Sequence, residues 1–393
     1  MSRDILLKGG RVVDPGRNID QVMDLWIANG VFADPATLTD PEVVDVSNLV
    51  VSPGFIDVHV HLRHPGNTAA ETIASGTLAA AAGGFTSIVA MPNTNPPADT
   101  AGAIEYLRAL AAQQGCVRVL PCGCLTKGRA GKEMAGIGGL ASAGVVAFSD
   151  DGSCVQDHAL MRHLAEYIQS FNLPILDHCE NDCLAAGGVM HEGKWSVLLG
   201  MKGYSSAAEE LMVARDIILS RLTGAKFHIQ HISSKECIRL LADARKDRLP
   251  ITGEVTPHHI ALTDECIKTY DTNFKMNPPL RTEEDRKALI EGLASGVITV
   301  IATDHAPHTA TSKMVEFDDA PFGVVGLETA LPVCLTQLYH GGVLTLPQLI
   351  SKFTTGPAEV LGMKRYDLRN GNPADVTVFD PEKSFTVDPA KFR

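Results

Sequence analysis

Two histidines two positions apart, with an arginine two positions further on, stand in the stretch VSPGFIDVHVHLRHPG, residues 51–66. In an extended strand alternate side chains share a face. Asp57, His59 and His61 are therefore expected on one side, and Ile56, Val58, Val60 and Leu62 on the other. Two imidazoles at a strand's end can hold one metal ion. A His-x-His pair alone is commonly surface decoration, and its weight here comes from the ends of later apolar stretches, where Asn93, Asp150, Asp151, His178, His231 and Asp304 stand. Imidazole and carboxylate suit zinc and similar divalent ions, and a carboxylate can bridge two of them.

Several of these positions have competing explanations. Asp150 and Asp151 precede Gly152 in FSDDG, which also suits an ordinary turn; Asp151, further into the loop, is the preferred ligand. His228 and His231 differ by three positions, so a regular strand points them opposite ways, and His231 is the one expected at the site. His258 and His259 are expected to open a helix or orient ligands, and His305 to point away from Asp304. His158, His163, His191 and His340 read as surface or packing residues. If two ions are held, Asp151 is the carboxylate expected to bridge them; no lysine occurs between Lys132 and Lys194.

To bring such residues together, the chain must gather many strand ends. Apolar stretches at Phe55–His59, Thr86–Met91, Val117–Pro121, Gly144–Phe148, Pro174–His178, Lys226–His231, Pro250–Val255 and Val297–Thr303 alternate with helical segments such as Ala70–Ala82, Ala101–Gln113 and Ala207–Leu222. Eight buried parallel strands with intervening helices are the count of a (β/α)8 TIM barrel, whose chemistry lies at the strands' C-terminal ends. An open doubly wound sheet is the competitor, weakened by the lack of a Gly-x-Gly-x-x-Gly after any strand. Short β-branched runs at both ends, including ILLKGGRVV, VVDVSNLVV, ADVTVFD and SFTVD, predict one small β domain built from 1–52 and 362–393, with the barrel over 53–361.

At 393 residues and 45% hydrophobic content the chain can bury a core of that size. Its formal charge of −12 opposes nucleic acid or an anionic membrane as main partner. An anionic substrate needs a local cation, and Arg63 is the first candidate, with Asn93 and His308 as further donors. Nine cysteines scattered through apolar segments suit reduced thiols, Cys122 and Cys124 included. MSRDILLKGG carries no apolar stretch of signal-peptide length, and a cytoplasmic protein is expected.

With PGFIDVHVHLRHPG, VAMPNTNP, VVAFSDDG, LDHCEN, HIQHIS, GEVTPHH, KMNPPLR, ATDHAPH and APFGVVGLETA in order, the chain resembles the amidohydrolase superfamily, and within it the bacterial type I dihydroorotases. The resemblance implies zinc, one or two ions with two favoured: His59, His61, Asp151 and Asp304 on one, and Asp151, His178 and His231 on the other. It implies Asp304 as catalytic base and His61, Arg63, Asn93, Asn277, His308, Phe322 and Gly323 as substrate contacts. The implied reaction interconverts N-carbamoyl-L-aspartate with (S)-dihydroorotate and water, the third step of de novo pyrimidine (UMP) biosynthesis. Another cyclic-amide hydrolase, allantoinase- or hydantoinase-like, and a non-catalytic partner of aspartate transcarbamoylase are the alternatives. A homodimer and a complex with that transcarbamoylase are the assemblies the resemblance raises. The chain departs from the family in reading LRHPG for LREPG and in stopping at Arg393, where relatives usually run on.

Overall fold

The computed structural model describes residues 4–38, 40–364 and 366–393. Sixteen strands form among them: β1 Ile5–Asp14, β2 Ile19–Ala28, β3 Val31–Phe32, β4 Glu42–Asp45, β5 Val50–Pro53, β6 Phe55–Val60, β7 Phe85–Ala90, β8 Arg118–Gly123, β9 Ala147–Phe148, β10 Ile175–Asp177, β11 Met190–His191, β12 Gly203–Tyr204, β13 Phe227–Ile229, β14 Ile251–Val255, β15 Val300–Ile301 and β16 Val376–Phe379. Eight of them make one parallel sheet in the order β15-β14-β13-β10-β9-β8-β7-β6. A parallel bridge between Val60 and His305 joins its two edges, supported by the His61 N–H donating to the His305 carbonyl at 2.9 Å. This is the expected (β/α)8 barrel. Each of the eight anticipated strands is present, most of them shorter than their apolar runs.

Helices cover the outside of the barrel. Thr72 caps Ile73–Ala82 in a capping box with Ser75, and Thr100 caps Ala101–Gln114, so each chain reversal presents an oxygen to otherwise unpaired N–H groups. Leu164 and Ile168 from one helix, Leu241 from another and Leu289 from a third are buried against the sheet's outer face. Ile56, Val58, Val89, Met91, Cys122, Leu176 and Val300 fill the interior, closed from below by Ala358 and Val360 of the helix Thr355–Val360. At the junction of β5 and β6 the Thr86 side chain of β7 lies so close that a Cβ on Gly54 would come 2.1 Å from Thr86 Oγ1.

The alternation expected for β6 does not run its full length. Asp57 pairs with Ile88 and Val60 with Ala90, three steps on β6 against two on β7, so one extra residue is inserted. Ile56 and Val58 face the interior, whereas Val60 and Leu62 join the packing between sheet and helices. His59 and His61 are thereby turned inward. Asp57, expected beside them, instead accepts from the Thr303 N–H and hydroxyl and from the His59 N–H. Burial pushes its carboxyl up to about 7, against the pull of those donors.

The termini form the second sheet, β16-β5-β1-β2-β3, with β4 parallel to β1. Its core includes Leu7, Val12, Leu25, Ile27, Phe32 and Val51. ADVTVFD contributes β16, but Ser384–Asp388, expected as a strand, forms no regular element and lies outside any ladder. Phe385 and Val387 are exposed there, with no neighbouring strand to share their backbone groups. No described helix is long and apolar enough to cross a membrane.

Candidate active site

Asp151 is the centre of the site. It follows β9, its N–H donates to Ser149 Oγ at 2.9 Å, and its carboxylate is buried among four imidazoles. Oδ1 lies 3.2 Å from His59 Nε2, 3.7 Å from His178 Nδ1 and 3.9 Å from His231 Nε2, and Oδ2 lies 3.3 Å from His61 Nε2. Burial would raise the Asp151 carboxyl, but His59 and His61 outweigh it and hold it well below the usual carboxylate range. Asp304, after β15, closes the ring, with Oδ1 at 3.0 Å from His61 Nε2 and 3.4 Å from His59 Nε2. Asp150 is excluded because its carboxylate accepts from the Leu125 and Thr126 N–H groups and the Thr126 hydroxyl.

The backbone is bent to achieve this. His231 has φ 33° and Asp304 φ 47°, and Arg63 beyond β6 has φ 54°, all in the left-handed region that L-residues seldom occupy. His228 and His231 were expected on opposite faces, yet both project inward. β13 ends at Ile229, and the turn at His231 brings its ring back to the mouth while His228 remains one layer below.

The donor set fits divalent ions. Three overlapping triads, His59–His61–Asp151, His59–His231–Asp304 and Asp151–His178–His231, each have ligand atoms within 4.8 Å of one another. On three imidazoles the ring nitrogen turned away from the cluster faces an oxygen: His59 Nδ1 meets Glu254 Oε1 at 2.7 Å, His61 Nδ1 meets Asn93 Oδ1 at 2.9 Å, and His178 Nε2 meets Glu180 Oε2 at 3.0 Å. When those nitrogens donate outward and the rings are neutral, each inward nitrogen keeps a lone pair for an ion. His231 Nδ1 is buried with no hydrogen-bond partner among the described residues. A fourth grouping, Asp177, Cys179 and Asp216, already contains a cation: Arg215 donates to Asp177 Oδ2 at 2.6 Å and to Asp216 Oδ1 at 2.8 Å.

Sequence reasoning passed over Glu254 and Glu180. Glu254 is fully buried, accepts from the His231 N–H at 3.1 Å, and faces His59 and, at 3.0 Å, His228 Nε2. Burial opposes its charge, but those two imidazoles hold its carboxyl down at about 2. A glutamate in the otherwise uncharged strand of GEV was the available signal. Glu180 also accepts from Asn277 Nδ2 at 2.7 Å, and His178 keeps it below the usual range despite burial.

The other anticipated residues line the mouth. Arg63 is mostly buried, which lowers its guanidinium, and Nε donates to the Pro307 carbonyl at 3.3 Å. Asn93 turns its oxygen to His61, so its NH2 faces elsewhere. His308 was expected to donate. Its Nε2 instead lies 2.7 Å from the Phe322 carbonyl, and burial lowers the ring to about 4, so the neutral imidazole keeps Nδ1 as an acceptor. Gly323, at φ 132°, sits where a Cβ would come 2.7 Å from the Ala306 carbonyl and 2.9 Å from His308 Nε2. Lys275 Nζ lies 4.7 Å from the Phe322 ring centre and fixes that loop through the Phe317 carbonyl at 2.7 Å.

Residues 48–237 match the family model described as dihydro-orotase-like. The chain is 49% identical to a dihydroorotase of Solibacter usitatus over 387 residues, covering 98% of this chain and 90% of that one. It is also 49% identical to a dihydroorotase of Pelotomaculum thermopropionicum, over 99% of this chain and 91% of the relative. Among solved structures, an L-hydantoinase (dihydropyrimidinase) from Arthrobacter aurescens superposes with a TM-score of 0.85 at 23% identity, covering 95% of this chain and 86% of that one. A D-hydantoinase from a Bacillus sp. AR9 superposes with a TM-score of 0.86 at 23% identity, over 99% and 89%. The structural likenesses carry the fold, and the sequence relatives carry the kinship: the chain belongs to the dihydroorotase family.

Proposed function

We propose that this chain catalyses the reversible, metal-dependent cyclisation of N-carbamoyl-L-aspartate to (S)-dihydroorotate and water, a step of pyrimidine biosynthesis. The observation that carries it is Asp151 lying between two pairs of imidazoles whose outward nitrogens are largely held by oxygens. His59, His61, Asp151 and Asp304 would hold one zinc, and Asp151, His178 and His231 a second. Bound there, the ions would supply a water of lowered pKa, from about 15.7 to about 7, as nucleophile at neutral pH.

The protein's own groups do the rest. In hydrolysis Asp304 accepts the proton of the attacking water and returns it to the ring nitrogen as the C–N bond breaks; in cyclisation the transfers reverse. Arg63 offers the substrate carboxylate a planar fork of donors, and the Asn93 NH2 adds another. The neutral His308 offers Nδ1 as acceptor for a substrate N–H. Asn277, Phe322 and Gly323 complete the substrate's surroundings.

The same proposal divides the chain into the barrel, 53–361, and the terminal domain, 1–52 with 362–393, and puts it in the cytoplasm. Metal analysis coupled to a dihydroorotate hydrolysis assay tests the function, with Asp304→Asn expected to lower kcat by about 10²–10⁴-fold. Full metal loading without turnover of dihydroorotate would refute it, and a panel with hydantoin and allantoin would identify another cyclic-amide hydrolase. A homodimer and a complex with aspartate transcarbamoylase are tested by sedimentation of the chain alone and by co-migration of the two proteins.

A further inference from the structure

At the barrel's other end, under the strands' N-terminal ends, lies a cavity of about 590 Å³. Lys226, Arg245 and Arg248 line it against one carboxylate, Glu359, a local cationic excess in a chain of net charge −12. The two arginines are unusual within this protein. Apart from them and Arg393, every described arginine side chain donates a hydrogen bond to a carboxylate, carbonyl or hydroxyl oxygen; Arg215, Arg281 and Arg286 are examples. Arg245 and Arg248 donate none to the described residues.

Two further features point to a ligand. Arg248 has φ 55°, a conformation that non-glycine residues seldom adopt, yet the position carries a long cationic side chain. Thr299, also in the wall, has a buried hydroxyl without a hydrogen-bond partner. The cavity's volume falls in the range of small-molecule sites, about 300–1,000 Å³ and far above what one inorganic ion fills. Leu249, Pro250 and Ile251 give it an apolar wall.

We infer that this basal cavity binds a phosphate monoester with a ring-bearing body, of the nucleoside monophosphate class. The phosphate is received by the guanidinium groups of Arg245 and Arg248 with Lys226, and the base lies on the apolar wall. Arginine forks suit phosphate oxygens, and exposed cations beside a concave wall keep the site accessible.

The test is calorimetric titration of the intact protein with uridine 5′-monophosphate, adenosine 5′-monophosphate, uridine and inorganic phosphate. The same titrations are repeated on the double variant Arg245→Ala, Arg248→Gly. Glycine suits the φ of Arg248 and alanine suits a helix, so the variant folds, as its unfolding temperature will verify. The expected result is one nucleotide per chain, bound at least tenfold more weakly by the variant and weakened by salt, with uridine not bound. Nucleotide binding unchanged in the variant, or absent at millimolar concentration, overturns the site. Inorganic phosphate bound as tightly as the nucleotides overturns the choice of an ester. Binding is read independently of hydrolysis, so failure here is separable from failure of the catalytic proposal.

Discussion

Replacing Glu254 by glutamine removes one charge from the centre of the barrel while conserving its hydrogen bonds. Glu254 Oε1 serves His59 Nδ1 at 2.7 Å and the His231 N–H at 3.1 Å, while Oε2 faces His228 Nε2 at 3.0 Å. A glutamine oxygen can keep the first two. Its NH2 then faces His228 Nε2, which accepts if His228 carries its proton on Nδ1 and donates to Thr252 Oγ1, 2.8 Å away. What is lost is charge assistance, worth about 1.5–3 kcal/mol per bond against about 1 for a neutral one. A loss of about 1–2 kcal/mol in the basicity of His59 weakens metal binding by about 5- to 30-fold, overlapping the ~10–100-fold typical of groups that orient metal ligands. Chelator competition measures the affinity, and kcat/KM for dihydroorotate at saturating zinc shows whether activity returns with loading. Glu254→Ala strands two buried imidazoles and should lower the unfolding temperature as well. A Glu254→Gln protein that binds zinc and turns over within twofold of wild type would refute the role assigned to this carboxylate.

Three further outcomes are expected. Arg63→Met should raise KM and lower kcat/KM by about 30-fold or more with metal content unchanged, since a charged hydrogen-bonded pair lost on one side costs about 2–5 kcal/mol; an unchanged KM would place the carboxylate anchor elsewhere. Gly323→Ala meets both the φ of 132° and the Ala306 carbonyl, so a loss of about 1–3 kcal/mol in urea unfolding is expected, and an unshifted midpoint contradicts the close packing. His259 is fully buried, and burial lowers it from 6.5 to about 4 despite the Pro278 carbonyl. The unfolded chain therefore takes up a proton below pH 6.5 that the folded chain refuses until about pH 4. The stability associated with neutral His259 is complete above pH 6.5 and shrinks as pH falls through that window, by about 2 kcal/mol at pH 5. Urea midpoints at pH 7 and pH 5 should differ less in His259→Gln than in wild type; equal differences would show that His259 is charged in the fold.

The barrel was legible because eight apolar runs alternate with helical segments, and because polar residues collect at the runs' C-terminal ends. The six anticipated metal-site residues meet at one mouth for that reason. Parity was a weaker guide. It grouped Asp57 with the two histidines, and it separated His228 from His231, because neither an inserted residue in β6 nor a left-handed turn at His231 leaves a periodic trace. Glu254 and Glu180 escaped notice since their partners, His59 and His178, are distant or adjacent by accident of folding. Ser384–Asp388 has the composition of a strand, but a strand also requires a neighbour, which local composition does not specify.

The insertion in β6 has the property of a reading frame. Below it, Ile56 and Val58 belong to an oil-filled plug; above it, the same strand supplies polar chemistry without any change in the direction of the chain. Were β6 to keep its length but alternate regularly from Ile56 onward, both imidazoles would turn out among the helices and Val60 into the mouth. The irregular step between Asp57 and Val60, and not the strand's composition, therefore gives the mouth its two nitrogen donors from β6.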